Sequence, residues 1–343
     1  MKADIEVSLI NHSFLRIVAE RGIKAELRDY FSFFAEGYRF MPQYKDGFWD
    51  GKIKLFNAQE SVLPAGLFYR LGQFCQSRKY TLHINPTEYG SPLDKSVFYP
   101  DIIEHVRIPW TPKDYQQKAL EKVVENKRRI VKSPTGSGKS LIIYLICRYY
   151  LQLKQKRILI IVPTTSLVEQ LYKDFLDYAK PEEFDIKPYL HKIYSGADKK
   201  ARNPIVISTW QSLQRLPREW FSTYGCVIGD ECHLFKAKSL TNIMNKCENA
   251  DYRIGPTGSL DGKFISRLQL EGLFGPVFRT TTTKKLQDDD VLAPLSIMGL
   301  VLNYPEEQRK HCAKMKYQEE IDFIVRHEKR NRFIRDLALD LKG

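Results

Sequence analysis

"RRIVKSPTGSGKSLIIYLIC", residues 128–147, decides how the rest of the chain is read. A short β-branched run ends near Lys132, a Ser/Pro/Gly stretch follows, and an apolar run with helical character begins at Lys139. Strand, loop and helix in this order are what a phosphate-binding P-loop requires. Gly136 and Gly138 let successive backbone N–H groups turn toward phosphate oxygens with no Cβ in the way. Lys139 reaches the β- and γ-phosphates, and the Ser140 hydroxyl is a ligand for Mg²⁺. The helix directs its positive end at the same anion. The pattern G-x-x-x-x-G-K-[ST] is broken only at its first position, where Ser133 stands for glycine. The expected cofactors are therefore ATP and Mg²⁺, cradled by Ser133, Pro134, Thr135, Gly136, Ser137, Gly138, Lys139 and Ser140.

A second stretch, "CVIGDECH" (226–233), is a buried-strand run that breaks into Asp230, Glu231, Cys232 and His233. Four adjacent ligand-type residues raise the alternative of direct metal binding. That alternative needs three or four donors converging on one ion, normally from wider spacing, and adjacent strand residues point to opposite faces. P-loop enzymes instead use an aspartate at a second strand end to hold Mg²⁺. On that reading Asp230 serves the metal, Glu231 orients and deprotonates the attacking water, and His233 relays to neighbouring motifs.

Composition bounds the rest. The 343 residues are 43% hydrophobic and 12% aromatic, sufficient for two or three domains with real cores. The longest apolar runs, "LIIYLIC" and "ILIIV", fall far short of the roughly 18 residues a membrane span needs. The start MKADIEVSLI lacks the apolar segment of a signal peptide. The six cysteines are scattered without a C-x-x-C pair, which points to reduced thiols and a cytoplasmic setting. Net charge is +13, of which residues 1–110 supply +1 and the remainder +12. A cationic surface of that size favours a nucleic-acid partner.

Along the chain, residues 1–85 read as a small α+β domain with strands "IEVSLI", "FLRIVA" and "TLHI" and helices around 23–34 and 66–80. "YRFMPQYKDGFWDGKIKLFN" (38–57) reads as an aromatic hairpin turning through Asp46-Gly47 to Asp50-Gly51. Tyr38, Phe40, Tyr44, Phe48 and Trp49 interleave there with Arg39, Lys45, Lys52 and Lys54. Two readings stay open: a surface that stacks bases, or a small core hairpin with solvated lysines. Residues 86–110 form a Pro/Gly/Ser-rich linker. From 111 to 300, short apolar strands ("RRIVKS", "RILIIV", "PIVIST", "CVIGDE", "YRIGPTG") alternate with helices, which implies a parallel sheet covered on both faces. Residues 301–343 read as a charged helical segment, in which 317–343 form an amphipathic helix or a pair of helices.

With these motifs in order, the chain resembles superfamily 2 helicases. "YQQKAL" (115–120) is similar to their adenine-recognition element, with Gln116 on the base edge and Lys113 where an arginine is frequent. "VPTTSLVEQ" (162–170) and "STWQSL" (208–213) resemble motifs Ia and Ib. Their Pro163, Thr164, Thr209 and Gln211 would touch a nucleic-acid backbone. "GPTGSL" (255–260) resembles motif III, in which Thr257 and Ser259 would couple the ATP and nucleic-acid sites. Over nearly its whole length, including the 40–56 aromatic stretch and "YQEEI…KRNRFI", the chain resembles the UvsW-type helicases of large tailed phages. That resemblance implies an α/β fold in which a RecA-like motor lobe follows a small α+β domain. It also implies an ATP-dependent helicase acting, as a monomer in the host cytoplasm, on single-stranded or branched DNA and RNA–DNA hybrids in recombination, repair and replication. The alternatives are a double-strand translocase of restriction-enzyme type and a non-enzymatic ATP- and DNA-binding module. No Q-x-x-G-R-x-x-R-like stretch occurs, and the chain stops where the resemblance puts a second motor lobe. An arginine finger is worth about 10³–10⁵ in rate, so this chain alone is expected to bind ATP–Mg²⁺ and DNA but to hydrolyse ATP poorly.

Overall fold

The computed structural model describes residues 3–341 apart from 101–110, 154–155, 183, 195, 197, 201, 261–263 and 295–297. The second half of the expected linker, 101–110, thus lies outside the described residues. The chain divides into two compact units, Met1–Leu292 and Ala293–Gly343.

The first unit opens with strands β1 (Ile5–Leu9) and β2 (Phe14–Ala19), an antiparallel pair. A short pair follows, β3 (Ser32–Phe34) with β4 (Lys52–Lys54). β5 (Val62–Pro64) and β6 (Leu82–Asn85) complete a four-stranded sheet in the order β5-β2-β1-β6, with β6 parallel to β1. Alternation along β1 buries Ile5, Val7 and Leu9 on one face, against helices Arg21–Tyr30 and Phe68–Arg78 that contribute Leu27, Leu71 and Phe74.

The aromatic stretch does not form the expected hairpin. Tyr38–Phe40 is a 3₁₀ turn, Pro42–Lys45 one helical turn, and only Lys52–Lys54 is a strand. The backbone explains this: Pro42 has no N–H for a ladder and sits at the start of that turn. Gly37, Gly47 and Gly51 all take positive φ, bending the chain three times. Phe34 stacks on Tyr38, and Tyr44 meets the Tyr38 ring edge-on, whereas Phe40 and Phe48 stand 82% and 87% exposed.

Strands β7 (Arg128–Lys132), β8 (Arg157–Val162), β9 (Leu190–Ile193), β10 (Ile205–Thr209), β11 (Tyr224–Gly229), β12 (Tyr252–Thr257) and β13 (Val277–Arg279) form a second sheet, ordered β13-β7-β12-β11-β8-β10-β9. Every pairing in it is parallel. Helices cover both faces, so β8, β10, β11 and β12 are buried almost throughout, without alternation. One face packs on helices Asp114–Asn126, Lys139–Gln152 and Thr165–Ala179. The other packs on Lys238–Lys246 and Phe264–Phe274. All six cysteines are free thiols.

The two sheets share a tight joint. Leu268, from helix Phe264–Phe274, belongs to the core of the small domain. A Cβ on Gly66 would fall 2.0 Å from the Glu271 carbonyl oxygen, so only glycine allows this approach. Buried Glu271 accepts from Arg70 Nε at 2.8 Å and from Arg267 Nε at 2.7 Å. Arg253, 1% exposed, donates to the carbonyls of Ala250, Met244 and Cys247 and to Ser13 Oγ, which lies in the turn between β1 and β2.

The second unit holds helices Glu306–Cys312, Tyr317–Arg326 and Glu328–Asp340. The last two are the pair read from sequence for 317–343, and Glu306–Cys312 is an additional helix ahead of them. The last helix is capped by His327, whose ring accepts from Arg330 N at 3.1 Å. Among the described residues of the whole chain, no helix is long and apolar enough to cross a membrane.

Candidate functional site

The 133–140 loop leaves the C-terminal end of β7 and closes on the helix Lys139–Gln152. Gly136 and Gly138 hold φ of +80° and +78°, the left-handed region that turns N–H groups inward at no steric cost. Ser133 at the variant first position is fully buried and has work of its own. Its hydroxyl lies 2.6 Å from Ser137 Oγ and 2.8 Å from Thr280 Oγ1, pinning the loop at both ends. A glycine would leave those hydroxyls without that partner.

Gln116 is 5% exposed, and its amide is engaged within the protein. Its Oε1 accepts from Lys113 N, capping the helix Asp114–Asn126, and its Nε2 donates to Ser137 O at 2.9 Å. Tyr115 donates to the same carbonyl at 3.1 Å. Gln116, expected from sequence to read the base, thus also tethers the phosphate loop.

Strand β12 lies between β7 and β11, so the loop after β7 and the DECH stretch after β11 flank Thr257 at the end of β12. Lys139 Nζ is ion-paired with Glu231 Oε1. The other oxygen of Glu231 accepts from the Thr257 hydroxyl at 3.2 Å and lies 3.3 Å from His233 Nδ1. His233 Nδ1 is 2.9 Å from Thr257 Oγ1, and that hydroxyl also reaches the Ser259 carbonyl. Ser259 therefore enters through its backbone. Burial works to raise the Glu231 carboxyl, but Lys139 and then His233 outweigh it and hold it below its ordinary value. Glu231 itself takes φ +49°, a conformation rare for a side chain of its kind and often found where function demands it.

Asp230 is anchored by its N–H to Ile161 O, and its carboxylate accepts from Glu231 N. Burial raises its carboxyl above the ordinary value against the pull of Lys139. Asp230 and Ser140 offer hard oxygen donors, the type that suits Mg²⁺. Cys232 is buried in the core, and burial pushes its thiol well up. Among the described residues no three His, Cys, Asp or Glu side chains cluster as a metal site.

The four nucleic-acid candidates lie together. Pro163, Thr164, Thr209 and Gln211 line one open pocket of about 330 Å³ at the ends of the neighbouring strands β8 and β10. Thr164 caps the helix Thr165–Ala179, accepting from Leu167 N. Thr209 Oγ1 lies 3.1 Å from Ser212 Oγ. Thr165, Ser212 and Tyr194 complete the lining; the first two fall inside the stretches singled out from sequence, and Tyr194 was missed. Tyr194 follows β9, a four-residue edge strand with a lysine in it, too short and too polar to stand out; its position after "LHKI" was the only available signal.

Comparison with known proteins matches this geometry to a family. The profile described as "Type III restriction enzyme, res subunit" fits residues 110–261. The profile "DNA helicase UvsW, N-terminal" fits residues 4–85. Over 353 aligned residues the chain is 39% identical to the ATP-dependent DNA helicase uvsW of Enterobacteria phage T4, a match spanning 98% of this chain and 68% of that protein. The chain belongs to the UvsW helicase family. Two crystal structures of UvsW from bacteriophage T4 superpose on it, each at 37% identity. One has a TM-score of 0.71 and covers 80% of this chain and 99% of the other; the second has a TM-score of 0.73 and covers 98% and 67%. UvsW-family membership makes the chain an enzyme of helicase superfamily 2, built on the RecA-like lobe and small α+β domain described above.

Proposed function

We propose that this UvsW-family helicase binds ATP–Mg²⁺ in the 133–140 loop and uses it to act on DNA at the pocket beside β8 and β10. The observation that carries this reading is the meeting of Lys139, Glu231, His233 and Thr257 around one ion pair at the mouth of the loop. In the proposal Lys139 leaves Glu231 to bind the terminal phosphates, with the loop N–H groups of 136–140 beside it. Ser140 and Asp230 hold the Mg²⁺, which supplies charge neutralisation when bound. Glu231, released by Lys139 and still held by His233 and the Thr257 hydroxyl, takes the proton of the attacking water. Thr257 hears of that change through its bond to Glu231 and passes it to Ser259.

The 163–165 and 209–212 pocket presents hydroxyls and a helix N-terminus, chemistry that suits phosphate oxygens and carries no base preference. Single-stranded or branched DNA, or an RNA–DNA hybrid, is the proposed substrate class, with the protein monomeric in the host cytoplasm. The exposed Phe40 and Phe48, beside Arg39 and Lys45, favour a base-stacking role for the small domain over a core role.

The test is paired binding, with a fluorescent ATP analogue and a labelled single strand. Lys139→Ala should abolish nucleotide binding and leave basal DNA binding intact. Gln211→Ala with Thr209→Val should do the reverse. Nucleotide binding by Lys139→Ala at wild-type affinity, or DNA binding indifferent to the pocket changes, would refute the assignment.

A further inference from the structure

The hydroxyl proposed above as a metal ligand is already spoken for. Ser140 Oγ lies 2.8 Å from the Tyr178 hydroxyl and is hydrogen-bonded to the Asp174 carboxylate. Both partners sit on the helix Thr165–Ala179, four residues apart and so on one face. Beneath this polar trio the two helices are zipped by an aromatic seam: the Tyr144 ring packs on Phe175 at 5.2 Å and on Tyr178 at 5.4 Å. Side-chain drift at Ser140 is therefore resisted from below by packing and from the side by two hydrogen bonds.

A serine hydroxyl has one proton and two lone pairs. Donation of the proton to Asp174 and acceptance from Tyr178 fix its rotor and leave one lone pair for a cation. A carboxylate acceptor also makes the oxygen a stronger donor, as partners behind a ligand generally do. The same helix begins at Thr164 in the proposed nucleic-acid pocket. Its residue Glu169 bonds Lys192 and Tyr194, and Tyr194 lines that pocket. From Thr164 to Asp174 is about 15 Å of helix at 1.5 Å per residue. One rigid element thus carries contacts to both proposed sites.

We propose that Asp174 and Tyr178 are positioning residues that orient Ser140 toward the divalent cation of a bound nucleotide, and that the helix bearing them makes nucleic-acid affinity depend on that cation. Neither residue touches substrate. The inference rests on the 133–140 loop being the ATP–Mg²⁺ site, so its test keeps the two separable.

The experiment titrates Mg²⁺ against a fixed concentration of fluorescent ATP analogue, using wild type, Asp174→Asn, Tyr178→Phe and Lys139→Ala. Single-strand affinity is measured in parallel with the non-hydrolysable nucleotide, in Mg²⁺ and in EDTA. Asp174→Asn should raise the Mg²⁺ midpoint about 10-fold or more, the size expected when the partner of a ligand is lost, and Tyr178→Phe should raise it less. Both variants should match wild type for nucleotide binding in EDTA, and both should shrink the Mg²⁺-dependent change in DNA affinity. A purely structural role would lower melting temperature with the midpoint unmoved. Midpoints equal to wild type in both variants would overturn this inference alone. Wild-type nucleotide affinity in Lys139→Ala would overturn the underlying site.

Discussion

The joint between the small domain and the motor lobe and the mouth of the phosphate loop are both partly buried, polar and built on ion pairs, yet they are satisfied differently. At the joint, Arg253 and Glu271 are almost fully enclosed, and their partners are backbone carbonyls and the side chains of Ser13, Arg70 and Arg267. At the loop, the Lys139 and Glu231 side chains keep 18% and 28% of their surface exposed, and they bond one another and the buried Thr257 hydroxyl. The first arrangement holds a shape. The second keeps charged groups paired until something else competes for them, since a charge left alone in such a place is costly. Charge pairing by itself therefore does not mark a functional site; exposure and exchangeable partners do.

Breaking the joint should give the largest effect. Glu271→Ala leaves Arg70 without its bidentate partner in a site where the carboxylate side chain is only 3% exposed. Removing one member of a buried pair costs about 3–5 kcal/mol, readable by urea unfolding. The nucleotide affinity of the molecules that remain folded should not change. A loss below about 1 kcal/mol, the range of surface ion pairs, would show that the joint is no tighter than the surface.

Acid should strain the same joint next. His12, in the turn beside Ser13, is held down to about 3 from an ordinary 6.5, by burial first and then by the charges of Arg128 and Arg253. Between those values the unfolded chain binds a proton that the folded chain refuses. Stability from this group is thus complete above about pH 6.5 and is lost as pH falls toward 3. The drop in melting temperature from pH 7 to pH 5 should be smaller in His12→Asn than in wild type. Parallel curves for the two proteins would contradict the assignment.

The smallest effect sharpens the other side of the comparison. Ser133→Ala removes one hydroxyl contact inside the loop and one to Thr280, and should cost about 1 kcal/mol of stability, with nucleotide affinity down only a few-fold. Full stability in that variant would mean that the serine pins nothing.

The strands of the lobe were legible because burial on both faces writes them as unbroken apolar runs: "RILIIV" and "CVIG" admit little else. β9 and β13 were not, being short edge strands that carry a charge. The phosphate loop and the DECH stretch could be read locally, since their geometry is set by residues a few positions apart. The joint could not, because Arg70 meets Glu271 and Ser13 meets Arg253 across more than half the chain. The aromatic stretch misled for a different reason. Its Asp-Gly pairs fit a hairpin, and Pro42 together with three positive-φ glycines turned it into a bent arm instead.

The most direct test of the loop as a site of exchangeable partners is nucleotide affinity in Glu231→Gln. If Lys139 is merely waiting on Glu231, removal of that charge frees the lysine, and an ATP analogue should bind as tightly as to wild type or more so. If Glu231→Gln instead loses nucleotide binding, with the fold intact, the ion pair is part of the architecture as at the joint, and the distinction drawn between the two regions fails.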